Sequence, residues 1–284
     1  RSRGLGDVYK RQVKEYFLSY QGEALQQYCR ENLPGWNYDS LIVFCETVVE
    51  MAKNSDGTKK LAVEILTFLN DIPLFTGSKK RSSVLQILRK FLEQIFKDTL
   101  YIGQKGESRY RLIDFDSRHM LTPPLDSQGV LLLDARGFPP EGEECDARLI
   151  AQASSLGWSN FICFNYSGQR FCGCGLPVSS GGIRIDVYGS SGDYLASGID
   201  GLQIYVHGHA QDQLGQIMMS GKLVVYGDVG QTFMYGAKGG EVYVLGNAAG
   251  RPLINAVGSP RVVINGTCLD YLAESFMAGD PLNG

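Results

Sequence analysis

The residues best suited to chemistry are few, and most lie in the second half of the chain. Cys172-Gly173-Cys174 sets two thiols one residue apart beside Arg170, a pattern that can be redox-active or ligate a soft metal. The pair lacks the second half of a four-ligand site, and its neighbour Cys163 falls on an apolar run that reads as a buried strand. Small buried thiols are the simpler account, which leaves Cys172 and Cys174 as weak metal candidates. His207-Gly208-His209 could chelate only if both rings turned the same way, and residues on either side of a turn glycine rarely do. His119 lies in an irregular stretch, so no Ser-His-Asp or Cys-His constellation can be assembled. The sequence predicts no catalytic residue and no cofactor bound by this chain.

Those residues sit inside a repeat. From Gly182 the anchor glycines Gly189, Gly208, Gly227, Gly246 and Gly266 recur at spacings of nineteen, nineteen, nineteen and twenty. Two positions before them stand Val187, Val206, Val225, Val244 and Ile264; four before stand Ile185, Ile204, Leu223, Val242 and Val262. Strand residues two apart share a face, so these columns predict two inward ladders, stacked coil on coil at about 4.8 Å. Ten residues after the anchors, Ile199, Met218, Ala237, Ala256 and Phe276 predict a third. The pattern specifies a right-handed parallel β-helix, in which no coil is stable alone. The glycines are read as corner residues with φ > 0, because glycine enters that region without penalty. Phosphate cradling is disfavoured: no Gly-x-Gly-x-x-Gly opens a helix after a strand, and no Gly-Lys-Ser/Thr occurs.

The columns predicted to face outward hold Tyr188, His207, Tyr226 and Leu245, and Tyr205, Val224, Tyr243 and Val263. So apolar a face is expected to lie under the preceding segment or a partner chain, which makes Tyr188, Tyr205, Tyr226 and Tyr243 candidate interface residues. Asp193, Asp212, Gln231, Gly250 and Asp270 follow the anchors by four. Gln231 and Gly250 break any metal ladder, so the aspartates are read as turn caps acting on their own backbone.

Before the repeat, Val130–Leu133 reads as a strand, Glu143–Leu156 as a helix, and Asn160–Phe164 as a second strand, together one crossover unit with its internal turn at Pro139-Pro140. From Val13 to Phe96 apolar residues fall at helical spacing, as in Leu85, Leu88, Phe91, Leu92, Ile95 and Phe96. About four helices are expected, broken at Pro34-Gly35, Ser55-Asp56-Gly57 and Pro73 to Gly77. Lys79-Lys80-Arg81 reads as a solvated loop entering the last of them. Arg1 to Gln12 shows no periodicity, resembles translated adaptor sequence, and is taken as a non-native leader. The fold class is therefore α+β: residues 1–12 leader, 13–100 helical, 101–170 a mixed linker and cap, 171–284 the β-helix. Twenty-two of the thirty-five glycines lie in 173–284, which marks the change of architecture.

A net charge of −3 gives no reason to expect nucleic acid or an anionic membrane surface. Seven scattered cysteines without a Cys-x-x-Cys pair favour reduced thiols, and no apolar run reaches the length of a membrane span, so a cytoplasmic protein is expected.

The segments Asn165–Phe171, Ile204–Asp212, Gly221–Gly230, Gly239–Gly246 and Asp270–Gly279 resemble the C-terminal domain of the glutamate synthase large subunit. That is the GXGXG β-helix family, seen also in one of the subunits of formylmethanofuran dehydrogenase. The likeness covers about Leu149 to the end; the helices before residue 100 match nothing in the family. It implies a noncatalytic scaffold in a glutamate-synthase-related oxidoreductase, with FMN and iron–sulfur clusters held by partner domains or subunits. A free-standing module that docks a redox partner through its aromatic face is the alternative. The family pattern continues with a further glycine-rich strand, so the last coil is expected to be unclosed, through truncation or a partner.

Overall fold

A computed structural model describes residues 2–19, 21–126, 129–177 and 181–277. The chain divides into two compact units, residues 1–99 and 100–284.

The first unit is helical: α1 (Ser2–Leu18), α2 (Gly22–Asn32), α3 (Tyr38–Ala52), α4 (Asp56–Asp71) and α5 (Arg81–Lys97). Their starts follow local chemistry. The Asn37 side chain accepts from Ser40 N at 2.8 Å, and Ser55 and Thr58 close a capping box at the head of α4. α3 packs against α1, α4 and α5, and α5 buries Leu88, Phe91, Leu92, Ile95 and Phe96 as the spacing predicts. Two expectations need correction. Among the described residues there are five helices rather than about four, because the sequence between α1 and α2 carries no proline and only Gly22 marks the break. The expected leader is helical from Ser2 and runs on into α1, whose buried apolar pair is Val13 and Phe17. Lys79 is not solvated. Its ammonium is buried and donates to the carbonyls of Leu33 (2.8 Å) and Trp36 (2.5 Å), at the end of the 3-10 turn Leu33–Gly35.

Among the described residues the second unit holds one parallel sheet of eight strands in chain order: β1 (Tyr110–Ile113), β2 (Val130–Asp134), β3 (Asn160–Ser167), β4 (Arg184–Ser190), β5 (Gln203–Val206), β6 (Lys222–Val225), β7 (Glu241–Val244) and β8 (Arg261–Ile264). Helix α6 (Asp146–Ser155) connects β2 to β3. The sequence reading missed β1 because Arg111 interrupts its apolar run. That arginine is buried, and its guanidinium donates to the carbonyls of Gly106, Ser108 and Tyr110. From β4 to β8 the register steps through Ile185, Ile204, Leu223, Val242 and Val262, the predicted ladder, one residue per coil. Its members through Val242 are fully buried, as are Val187, Val206 and Val225, each stabilising by about 2 kcal/mol. One core runs from Leu149, Ile150 and Trp158 of the crossover into these ladders. The third ladder holds for Ile199, Met218, Ala237 and Ala256 but not for Phe276, which is exposed because no described coil lies over it.

The glycine expectation is also corrected. Of the five anchors only Gly189 has a left-handed φ (121°). What the others require is space: a Cβ on Gly208 would lie 2.0 Å from the carbonyl oxygen of Gly189, and on Gly227, Gly246 and Gly266 it would lie 2.6, 2.5 and 2.5 Å from the preceding anchor's oxygen. One corner later, left-handed backbone falls on Gly198, Gly215 and Gly236 but also on side-chain-bearing residues: Tyr194 and Ala196, Gln213 and Ile217, Thr232 and Met234, then Arg251, Leu253 and Asn255. The hydrogen bonds there explain it. Tyr194, Gln213 and Thr232 donate to Asp212, Gln231 and Gly250 of the following coil, whereas Ala196, Gly215 and Met234 donate to Cys172, Leu195 and Leu214 of the preceding one. Successive N–H groups thus point in opposite directions along the solenoid, and both neighbouring coils hold a conformation that is unfavourable in isolation.

Candidate functional site

Three groups of polar side chains stand out on this frame. The first is on the outer face of the sheet. Asp186, which the sequence reading passed over, takes a bidentate pair from Arg184 (2.7 and 2.8 Å) and lies 3.1 Å from Nε2 of His207. Residues 184 and 186 share a strand face, and the register sets 207 one coil along. Burial pushes the Asp186 carboxyl up, but the hydrogen bonds from Arg184 and His207 outweigh it and hold it below the usual carboxylate range. His207 is buried between Tyr188 and Tyr226, with ring centroids 4.3 and 5.3 Å away and planes nearly parallel. Arg184 also lies over Tyr205 at 4.2 Å, and Lys222 over Tyr243 at 5.5 Å. The hydroxyls of Tyr205 and Tyr243 donate to Gln203 and Glu241. Tyr188, Tyr205, Tyr226 and Tyr243 are half-buried. A lone acidic residue in an otherwise apolar column, two after an arginine, was the signal available for this cluster.

The second group lines the corners. His209 Nδ1 accepts Asp228 N (3.0 Å), Asp228 Oδ1 accepts Asn247 N (2.7 Å), and Asn247 Oδ1 accepts Thr267 N (3.0 Å). In parallel, Asp193 Oδ1 accepts Asp212 N (3.2 Å) and Asp212 Oδ1 accepts Gln231 N (2.8 Å). The aspartates do cap, but they cap the next coil rather than their own turn. Gly230, Gly246 and Gly266 leave room for them, since a Cβ there would meet Asp212, Asp228 and Asn247 side-chain oxygens at 2.1 to 2.5 Å. His207 and His209 are therefore engaged separately and do not converge.

The third group is internal. Asp146 opens α6, its Oδ2 accepts from the Tyr166 hydroxyl, and its Oδ1 has no hydrogen-bond partner. Burial raises its carboxyl to about 6 against the lowering effect of the Tyr166 bond. The neighbouring Cys172 thiol and burial hold the Cys163 thiol well above the ordinary range. Both thiols are fully buried. Cys174 is half-buried and turned away, its thiol donating to Tyr194 O at 3.2 Å, and burial pushes it up to about 12. Cys172 and Cys174 are thus not brought together as a ligand pair. Among the described residues no three His, Cys, Asp or Glu side chains are grouped to hold a metal, and no helix is long and apolar enough to cross a membrane.

Comparison with known proteins agrees with the solenoid. Residues 164–281 match the family model described as the GXGXG motif. The chain is 30% identical over 109 residues to ferredoxin-dependent glutamate synthase 2 of Synechocystis sp., a match that takes in 32% of this chain and 7% of that protein. The chain therefore spans a small part of that relative's length. No solved structure matches it. Residues 164–281 are thus similar in sequence to the GXGXG-motif family, and part of the chain to part of that glutamate synthase.

Proposed function

We propose that this chain is a noncatalytic scaffold of a glutamate-synthase-related oxidoreductase in the cytoplasm, holding flavin- or iron–sulfur-bearing domains or subunits in position. The observation that carries the reading is the use made of the reactive side chains. His207 is clamped between two tyrosines against Asp186, His209 accepts a backbone N–H of the next coil, and the Cys163 and Cys172 thiols are buried in the core. Each serves coil stacking, and a rigid stacked rod is suited to fixing distances between redox centres.

A free-standing module that docks a redox partner is the second reading, favoured by the half-exposed tyrosines on the outer face. Capture of the tagged full chain from its natural host tests the first. The captured assembly is expected to show flavin and iron–sulfur absorbance that the purified chain lacks. A purified chain that itself carries flavin, iron or zinc overturns the reading. The double substitution Tyr226→Glu and Tyr243→Glu is expected to lower capture under the second reading and to leave it intact if the partner sits elsewhere.

A further inference from the structure

We propose that Asn265 is a spontaneous deamidation site created by the anchor packing of the solenoid. The inference does not depend on the scaffold reading. Succinimide formation is fastest where an asparagine precedes glycine, because a residue without Cβ leaves its backbone nitrogen open to approach. At the anchors the stack demands glycine: a Cβ on Gly266 would lie 2.5 Å from both Gly246 O and Asn247 Oδ1. The position before each anchor stands on the outward column and varies, being Tyr188, His207, Tyr226, Leu245 and Asn265 in turn. The fifth coil therefore joins an asparagine to a glycine that packing holds in place. Among the described residues Asn265 is exposed and its side chain makes no hydrogen bond. Every other described asparagine precedes a residue with a side chain, and its own side chain is hydrogen-bonded, as Asn247 is to Asp228 and Asn165 to Asp134.

In the reaction the backbone nitrogen of Gly266 attacks Cγ of Asn265. The new N–C bond closes a cyclic succinimide, the Cγ–Nδ2 bond breaks, and the proton lost from Gly266 N leaves, by way of water, on the departing ammonia. Water then opens the ring at either carbonyl. One opening gives an aspartyl residue; the other gives an isoaspartyl residue, whose main chain runs through Cβ. The hydrogen bonds of the corner control access to this path. Gly266 N donates to Gly246 O at 3.0 Å and Asn265 N to Val244 O at 2.8 Å, so the attack requires the corner to open. Among the described residues β8 pairs with β7 alone, so opening breaks ladder bonds on one side only. The isoaspartyl product adds a main-chain carbon just before the corner. It displaces Thr267 N from Asn247 Oδ1 (3.0 Å) and Leu269 N from Ala248 O (3.2 Å).

The test ages the folded full chain for several weeks in warm, mildly alkaline buffer and maps its chymotryptic peptides by mass spectrometry. Chymotrypsin cuts between Asn265 and Asn283, the other Asn-Gly pair of the sequence, which lies outside the described residues. The Asn265 peptide is expected to gain the mass difference between OH and NH2 before any other asparagine of the described residues converts. Part of it is expected to accept a methyl group from S-adenosylmethionine in the presence of an isoaspartyl methyltransferase. In the aged chain amide exchange at Thr267 and Leu269 should be faster, while β5 and β6 keep their protection. Asn265→Gln is expected to stay unmodified, because glutamine closes the larger ring far more slowly. An Asn265 peptide that keeps its mass overturns the proposal, as does earlier conversion of Asn247, Asn255 or any other described asparagine. The wild-type map decides even if the variant does not fold.

Discussion

Replacing Gly208 with Ala separates two explanations of the anchor glycines, because the backbone there is not left-handed and alanine has no conformational objection to it. On conformational grounds alone the substitution would stabilise by about 0.5–1 kcal/mol, by restricting the unfolded chain. The structure opposes it with a collision. The new Cβ would stand 2.0 Å from Gly189 O and 2.8 Å from Gly189 C, whereas ordinary contact begins at 3.4 Å, so the oxygen must retreat by 3.4 − 2.0 = 1.4 Å. Coils stack at about 4.8 Å and cannot part by that much while keeping His207 N to Val187 O at 2.7 Å. Overpacking of about 3 kcal/mol and about 1 kcal/mol for a strained ladder bond, less the unfolded-state gain, leave a net loss of about 3 kcal/mol. That is roughly a hundredfold in the folded-to-unfolded ratio. Urea unfolding followed by circular dichroism measures it, and amide exchange in β5 and β6 assigns the loss to the solenoid. Gly198→Ala is the matched control: its φ is 67° and nothing lies within 4 Å, so only the left-handed penalty of about 1 kcal/mol applies. At Gly250 the close contact is the carboxylate of Asp270, at 2.5 Å, so Gly250→Ala should be largely rescued by Asp270→Ala. A Gly208→Ala chain as stable as wild type, or less damaged than Gly198→Ala, would refute the explanation from space.

Asp146 predicts a pH effect of unusual sign. Its folded-state carboxyl is raised from 3.8 to about 6, so its contribution is fully present below about 3.8 and is lost as pH rises through 6, about 3 kcal/mol in all. The difference in urea midpoint between wild type and Asp146→Asn, followed from pH 4 to pH 7, should track that loss; a flat difference would show that the carboxyl is not raised. Asp186 has the opposite sign: held low, it stabilises above its ordinary pKa and stops doing so as the pH falls below it. Asp186→Asn should destabilise by about 3 kcal/mol at neutral pH, because Arg184 and His207 lose their carboxylate partner, and thermal melts check this. Asp212→Ala removes one exposed acceptor and should cost about 1 kcal/mol, seen as faster exchange at Gln231 N.

How much of this was legible follows from the kind of physics each feature rests on. The inward ladders were readable because they depend on alternation and period alone: Ile185, Ile204, Leu223 and Val242 are aliphatic wherever the register needs them. α5 was readable for the same reason at period 3.6. Strand β1 was not, since Arg111 is satisfied by carbonyls that only the fold brings near it. Lys79 was illegible likewise, because the carbonyls it serves lie more than forty residues earlier in the chain. The Asp186 cluster stayed hidden because tyrosines and valines dominate its column, with a single carboxylate at the head.

The glycines show most clearly where single-residue rules fail in a solenoid. Glycine at a corner is ordinarily explained by its own φ, a property local to the residue. Here the constraint belongs to the stack: Gly208 is glycine because Gly189 O lies beneath it, and Gly246 because the Asp228 carboxylate must pass to reach Asn247 N. The corner aspartates obey the same logic, being capping groups whose donor lies nineteen residues away. Left-handed conformations fall on other glycines such as Gly198 and Gly236, as the local rule predicts, but also on Tyr194, Met234 and Leu253, residues for which no local rule predicts them. Coil-to-coil hydrogen bonds that alternate in direction hold these residues there, so at the side-chain-bearing positions the strain is offset by neighbours. In a repeat of this kind a column is the unit of meaning, and a residue must be judged by what stands nineteen positions before and after it.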